Sequence, residues 1–197
     1  MDKPVKMQHV HTPSGKATQT ELYTYNYDHA GRLLTTKHKL NTGTEMLLVN
    51  NSYDELGRLQ SNSRTGSNPN LKTDYSYNVR SWMKTISNPH FNETLYYQDA
   101  PINVSGYTRN YNGNISAMNW QSDDKKSRTY AFDYDNLSRL TASTYSQTDN
   151  LSANFSDSCR YDMHGNVTNI IRYGRTGTTS FGLIDNLTMN YKGNQLI

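Results

Sequence analysis

A short motif, Tyr-Asp-x-x-Gly-Arg-Leu, recurs along the chain and constrains its fold more than any other feature. Four copies are clear: Tyr27-Asp28-His29-Ala30-Gly31-Arg32-Leu33, Tyr53-Asp54-Glu55-Leu56-Gly57-Arg58-Leu59, Tyr134-Asp135-Asn136-Leu137-Ser138-Arg139-Leu140 and Tyr161-Asp162-Met163-His164-Gly165-Asn166-Val167. Three are degenerate: Tyr77-Asn78-Val79-Arg80-Ser81-Trp82-Met83, the shortened Tyr111-Asn112-Gly113-Asn114-Ile115, and Tyr191-Lys192-Gly193-Asn194-Gln195-Leu196. The reference tyrosines are spaced by 26, 24, 34, 23, 27 and 30 residues. One supersecondary unit per period is the mark of a repeat array, in which a unit buries its surface only against its neighbours.

Each copy reads as a β-hairpin. Before the turn, Tyr23, Tyr25 and Tyr27, or Tyr130, Phe132 and Tyr134, alternate with smaller residues and fall on one face of a strand. Asp or Asn then opens a turn, because its side chain accepts from backbone N–H groups two residues on. A glycine three residues after the Asp supplies the positive φ that returns the chain to the sheet. Ser81 and Ser138 stand in that glycine place, so their turns must change type or carry strain. The next residue, Arg or Asn, is expected to point outward, and the Leu, Met, Ile or Val after it to return to the apolar side. The return strands are irregular: Met118 and Trp120 sit at one parity and Leu140 and Ala142 at the other.

Composition agrees with turns and strands. Hydrophobic residues make up 34% and charged residues 19%, while Asn, Thr and Ser number 23, 22 and 19. Low hydrophobicity alone suggests disorder, but 16 Tyr, 4 Phe and 2 Trp do not. Tyr suits a thin sheet, since its ring buries while its hydroxyl stays wet or bonded. A net charge of +3, with scattered Lys and Arg, gives no nucleic-acid footprint. The single Cys159 excludes an internal disulfide. The start, Met1-Asp2-Lys3-Pro4, has no signal-peptide character, and no apolar run suits membrane insertion.

Seven outgoing and six return strands make about 13, spanning roughly 60 Å at ~4.8 Å per strand. The fold class expected is all-β: tandem antiparallel hairpins in a long, twisted, curved sheet. Residues 1–20 show no period and are expected to be an irregular N-terminal segment, with the hairpin array over 21–197. Asn88-Pro89 and Ala100-Pro101, in the longest interval, would break pairing and carry an excursion from the sheet. Without a closing cap, the array is expected to be a fragment of a larger protein whose open edges invite edge-to-edge self-association.

The motif of Tyr53–Leu59 resembles the YD repeats of bacterial Rhs proteins, of the C subunits of insecticidal toxin complexes and of teneurins, and the resemblance runs from about Tyr23 to Leu196. Tyr77–Met83 resembles the Tyr-Asn-x-Arg-Gly-Trp variant of Rhs proteins, with Ser81 for its glycine. The resemblance implies a section of a β-shell that encloses a C-terminal toxin or passenger domain of the same parent, secreted or at the cell surface. It implies no enzyme and no cofactor. The self-cleaving core of the bacterial members carries an Asp-Pro-x-Gly motif that this chain lacks, so no protease residue carries over.

Other chemistries are weaker. The Tyr-Asp pairs suit carbohydrate, through ring stacking and carboxylate acceptors, and an adhesion or glycan-binding module is the alternative function. Their recurrence at turn positions favours a structural role. Cys159 and His164 flank Tyr161-Asp162 but have no third orienting residue for nucleophilic catalysis. His9-x-His11 shares a strand face without a nearby carboxylate or Cys cluster in the sequence, which does not make a metal site.

Overall fold

The computed structural model describes residues 3–64, 69–99, 108–150 and 152–197. Two compact units divide the chain, Met1–His90 and Phe91–Ile197. The first is an antiparallel sheet of β1 (Lys6–His11), β2 (Gln19–Tyr27), β3 (Leu33–Leu40), β4 (Met46–Tyr53), β5 (Leu59–Arg64), β6 (Lys72–Tyr77) and β7 (Met83–Ser87). Each strand pairs with the next in sequence. The second runs likewise through β8 (Asn92–Tyr96), β9 (Ala117–Gln121), β10 (Ser127–Tyr134), β11 (Leu140–Gln147), β12 (Asp157–Tyr161), β13 (Val167–Arg175) and β14 (Phe181–Thr188). Short strands β15 (Tyr191–Lys192) and β16 (Gln195–Leu196) close the last hairpin. Both units are all-β and open, and the strands anticipated from the motif are found except at the fourth copy, where the outgoing strand is β8, ending at Tyr96, rather than one before Tyr111.

The sequence misjudges residues 1–20. They include β1, paired over its whole length with β2, and the first residues of β2 itself. Like the return strands β3, β5 and β7, it lacks the aromatic alternation by which outgoing strands such as β2 and β10 are read. The anticipated excursion at Ala100-Pro101 lies outside the described residues, as does part of the loop after Arg64.

A β-bulge resolves the irregular parity of the return strands. Tyr27 pairs with Leu33 while Asn26 pairs with Thr35, so Leu34 is the extra residue. The same slip leaves Gln60, Lys84, Thr141 and Thr168 extra in four further copies. A bulge reverses the side-chain alternation once. Leu140 therefore shares a face with Ser143 and Tyr145, opposite Tyr134, Phe132 and Tyr130. Met118, opposite Tyr130, lies on the same face.

A single layer of strands leaves little interior. The hydrophobic side chains buried among the described residues are Tyr97, Ala117, Ala131, Tyr145 and Ala153. In the second unit, cohesion on the aromatic face comes from a ladder of rings. Trp120 stacks on Tyr130 at 5.5 Å, Tyr145 meets Tyr130 edge-on at 5.3 Å, and Phe155 bridges Tyr145 and Phe181 at 5.1 and 5.4 Å. Such ring pairs add roughly 0.5–1.5 kcal/mol each beyond area burial.

Candidate functional site

The motif residues gather along the hairpin turns, where each does two jobs. Within a copy, one Oδ of the Asp or Asn accepts from the backbone N–H two residues on and again from that four residues on. These bonds measure 2.9 and 2.8 Å at Asp28, 3.0 and 2.9 Å at Asp54, 2.9 and 3.0 Å at Asn78, 2.9 and 3.0 Å at Asp135, and 2.8 and 2.9 Å at Asp162. A further backbone bond, Gly31 N–H to the Asp28 carbonyl at 2.9 Å, closes the turn, and its counterparts recur at Gly57, Ser81, Ser138 and Gly165. Gly31, Gly57 and Gly165 have φ of 75°, 82° and 90°, and Ser81 and Ser138 adopt 61°. The serine turns thus keep the turn type and accept the left-handed strain, on the order of 1 kcal/mol.

The Arg does not point away from the protein, contrary to its reading from the motif. Its Nε donates to the second carboxylate oxygen of its own Asp, at 2.5 Å for Arg32–Asp28, 2.7 Å for Arg58–Asp54 and 2.6 Å for Arg139–Asp135. Asn166 Nδ2 substitutes at Asp162, at 2.9 Å. These bonds set the carboxyls. The N–H of Arg32 holds Asp28 below the ordinary carboxylate range, as that of Arg139 does for Asp135. Partial burial opposes the shift at Asp54 but is outweighed by the bonds from Arg58, and Asn166 lowers Asp162.

Between copies, the same side chains form a seam. The guanidinium of Arg32 lies over the ring of Tyr53 at 4.8 Å, that of Arg58 over Tyr77 at 4.7 Å, and that of Arg139 over Tyr161 at 4.6 Å. Arg58 Nη1 also donates to the Asn78 carbonyl and to Ser81 Oγ, both at 3.2 Å, and Arg139 Nη1 to the Asp162 carbonyl at 3.1 Å. In return, each tyrosine hydroxyl donates to the carbonyl of the preceding copy's aliphatic residue. Tyr53 reaches Leu33 at 3.0 Å, Tyr77 reaches Leu59 at 2.9 Å, and Tyr134 reaches Ile115 at 2.9 Å. Tyr161 reaches Leu140 at 2.7 Å and Tyr191 reaches Val167 at 2.9 Å. A side chain at position 57 would displace the Arg32 guanidinium, since a Cβ there would lie 2.5 Å from Nη1. Gly57 is therefore favoured by its φ of 82° and by the room it leaves for the guanidinium of the preceding copy.

Three motif positions depart from this plan. Trp82 replaces the Arg, and its ring is covered by Arg80 at 5.1 Å. Tyr111 is 62% exposed and lies outside any strand, although Gly113 keeps φ 103°. Tyr96 pairs with Ala117, a register equivalent to Asn26–Thr35, so the reference place of the fourth copy belongs to Tyr97, which is 5% exposed. An insertion separates Tyr97 from its turn. Ser116 ties the root of the insertion, its hydroxyl donating to the Tyr97 carbonyl and accepting from Asn110 N–H at 2.9 Å. At the seventh copy, Gly193 has φ 63° and the turn is shorter, pairing Tyr191 with Leu196.

The chemically suggestive residues do not converge. Among the described residues, no three His, Cys, Asp or Glu side chains are grouped to hold a metal ion. Cys159 lies on β12 with its thiol pushed up by burial, and His164 lies in the turn, where its N–H donates to Asp162. Pairing in the sheet brings Glu21 to His9, at 3.6 Å, which the sequence separation concealed.

No family model matches the chain, and no curated protein matches it. Solved structures do. The crystal structure of TcdB2-TccC3-Cdc42 superposes with a TM-score of 0.58 at 19% identity, over 86% of this chain and 9% of that one. A porin-like protein from Bacteroides uniformis aligns over 92% of this chain and 94% of its own, at 12% identity, but its TM-score of 0.23 carries no structural likeness. The chain thus spans about a tenth of the larger protein. Its fold, an open antiparallel arrangement of sequential hairpins, is similar to that of a section of the chain matched in TcdB2-TccC3-Cdc42.

Proposed function

We propose that the chain is a stretch of shell wall in an Rhs-like secreted or cell-surface protein, and that the wall encloses a C-terminal toxin or passenger domain of the same parent. One observation carries this: the polar groups of the motif are spent on holding one hairpin to the next. The Asp oxygens cap their own turns, the Arg reaches the following turn, and the Tyr hydroxyl reaches the preceding copy. A seam of this kind serves continuity rather than chemistry. The likeness to the toxin-complex shell supports the same role.

Glycan binding by the Tyr-Asp pairs is disfavoured by the same geometry. A guanidinium already covers one face of Tyr53, Tyr77 and Tyr161, and the carboxylates of Asp54 and Asp162 beside two of them are engaged by Arg58 and Asn166. The decisive experiment is limited proteolysis of the full-length parent. The domain that follows the array should resist cleavage until denaturant opens the array. Cleavage at the rate of the same domain expressed alone would remove the containment role.

A further inference from the structure

The N-terminal strand occupies a register that recurs at every described junction between copies within the two units. At those junctions, the aliphatic residue that ends one motif stands opposite the residue just before the next tyrosine. Thr35–Asn50 pairing places Leu33 opposite Ser52, and Ser61–Asp74 pairing places Leu59 opposite Ser76. Ala142–Ser158 and Asn169–Thr188 place Leu140 and Val167 opposite Arg160 and Asn190. Lys6–Thr24 pairing places Pro4 opposite Asn26, again one residue before the tyrosine, Tyr27.

Side chains repeat the pattern. Tyr27 donates its hydroxyl to the Pro4 carbonyl at 3.1 Å, as Tyr53 does to Leu33. Lys3 Nζ lies 5.4 Å from the Tyr27 ring centroid and donates to the Gly31 carbonyl, as Arg58 covers Tyr77 and reaches the following turn. Lys3-Pro4 therefore stands in the place of Arg-Leu, and β1 in the place of a return strand. The return strands β3, β5, β9, β11 and β13 each have two neighbours: the next copy's outgoing strand and the outgoing strand of their own hairpin. Here β2 is the first, and among the described residues no strand pairs with the second edge, every residue of β1 being exposed. Val5 turns its carbonyl to β2, accepting from Tyr25 at 2.9 Å. Alternation then directs the N–H and C=O groups of Lys6, Gln8 and Val10 to the open side.

We propose that this open edge of β1 docks the outgoing strand of a further YD-type hairpin, an extended segment with alternating aromatics that ends in Tyr-Asp, its Tyr opposite Pro4. The occupant follows from continuity with the junctions already formed: only an outgoing strand completes a return strand in this register. The assignment does not depend on what the wall encloses.

The test extends the whole chain. The sequence of Ser127–Asn136, fused directly ahead of Met1 with Asp2→Gly, sets a Tyr six residues before Pro4, the spacing of Tyr27 from Leu33. Hydrogen exchange at the amides of Lys6, Gln8 and Val10 should slow by at least about tenfold relative to the unextended chain. An extension of the same composition in scrambled order should not slow it. A second version carrying Lys3→Arg and Pro4→Leu, which restores the full motif, should protect at least as well. Equal protection by the scrambled arm, or none by either matched arm, overturns the proposal. Concentration-dependent protection of these amides in the unextended chain would assign the edge to a second copy and overturn it as well.

Discussion

Replacing Arg58 by Met keeps most of the stem and removes the charge, and it tests whether the seam acts between copies. Three sets of interactions are lost, the Nη1 bonds to the Asn78 carbonyl and to Ser81 Oγ counting as one. The bond to Asp54, in a side chain 22% exposed, contributes about 0.5 kcal/mol after solvent screening. The guanidinium over Tyr77 adds roughly 0.5–1 kcal/mol, and the bond to the Asn78 carbonyl roughly 0.5–1 kcal/mol. The total is about 2 kcal/mol, or on the order of 30-fold in an opening equilibrium. About three-quarters of it acts on the following copy. Hydrogen exchange resolves this, because Arg80 and Trp82 N–H donate to Asn78 Oδ1 and Ser81 N–H to the Asn78 carbonyl. Exchange at Ser81 and Trp82 should quicken by about tenfold, while the turn at Asp28 should be unchanged. Loss of protection confined to Asp54–Arg58 would refute the seam.

Tyr161→Phe removes only the bond to the Leu140 carbonyl and should lower stability by about 1 kcal/mol in a urea melt. Gly57→Ala should cost more, about 1–2 kcal/mol, since it adds left-handed strain and displaces Arg32; the equivalent Gly165, whose nearest neighbour to an added Cβ is at 3.9 Å, should show the smaller loss of the two. Tyr145→Ala empties the centre of the aromatic ladder, where the side chain is 8% exposed, and should cost about 3–4 kcal/mol with loss of near-ultraviolet dichroism. Because Asp28, Asp54, Asp135 and Asp162 have folded pKa values below their unfolded value near ~3.9, their contribution is present above that value and disappears as pH falls through the folded values. The urea midpoint should fall on acidification, and Asp135→Asn, which keeps the cap as Asn78 does, should weaken that dependence.

What the sequence by itself determined was local. The turn at each Asp or Asn depends on bonds that reach four residues at most, so the motif specifies the cap, the positive φ at Gly31 or Gly57, and the reversal that follows. Aromatic alternation before the turn located the outgoing strands for the same reason. Tertiary structure decided everything that depends on a neighbour 18 to 28 residues away. Arg58 is outward by strand parity alone, yet the sheet offers it a ring and a carbonyl in the next copy. The bulge at Leu34, Gln60, Lys84, Thr141 or Thr168 carries no fixed residue type, so parity beyond it could not be read from sequence. Tyr111 matched the motif in sequence while Tyr97 took its place in the ladder, because an insertion leaves hydrogen-bond register intact but breaks contiguity. Pro4 could be recognised only after β2 had paired with it: a carbonyl accepts a tyrosine hydroxyl whatever side chain it carries.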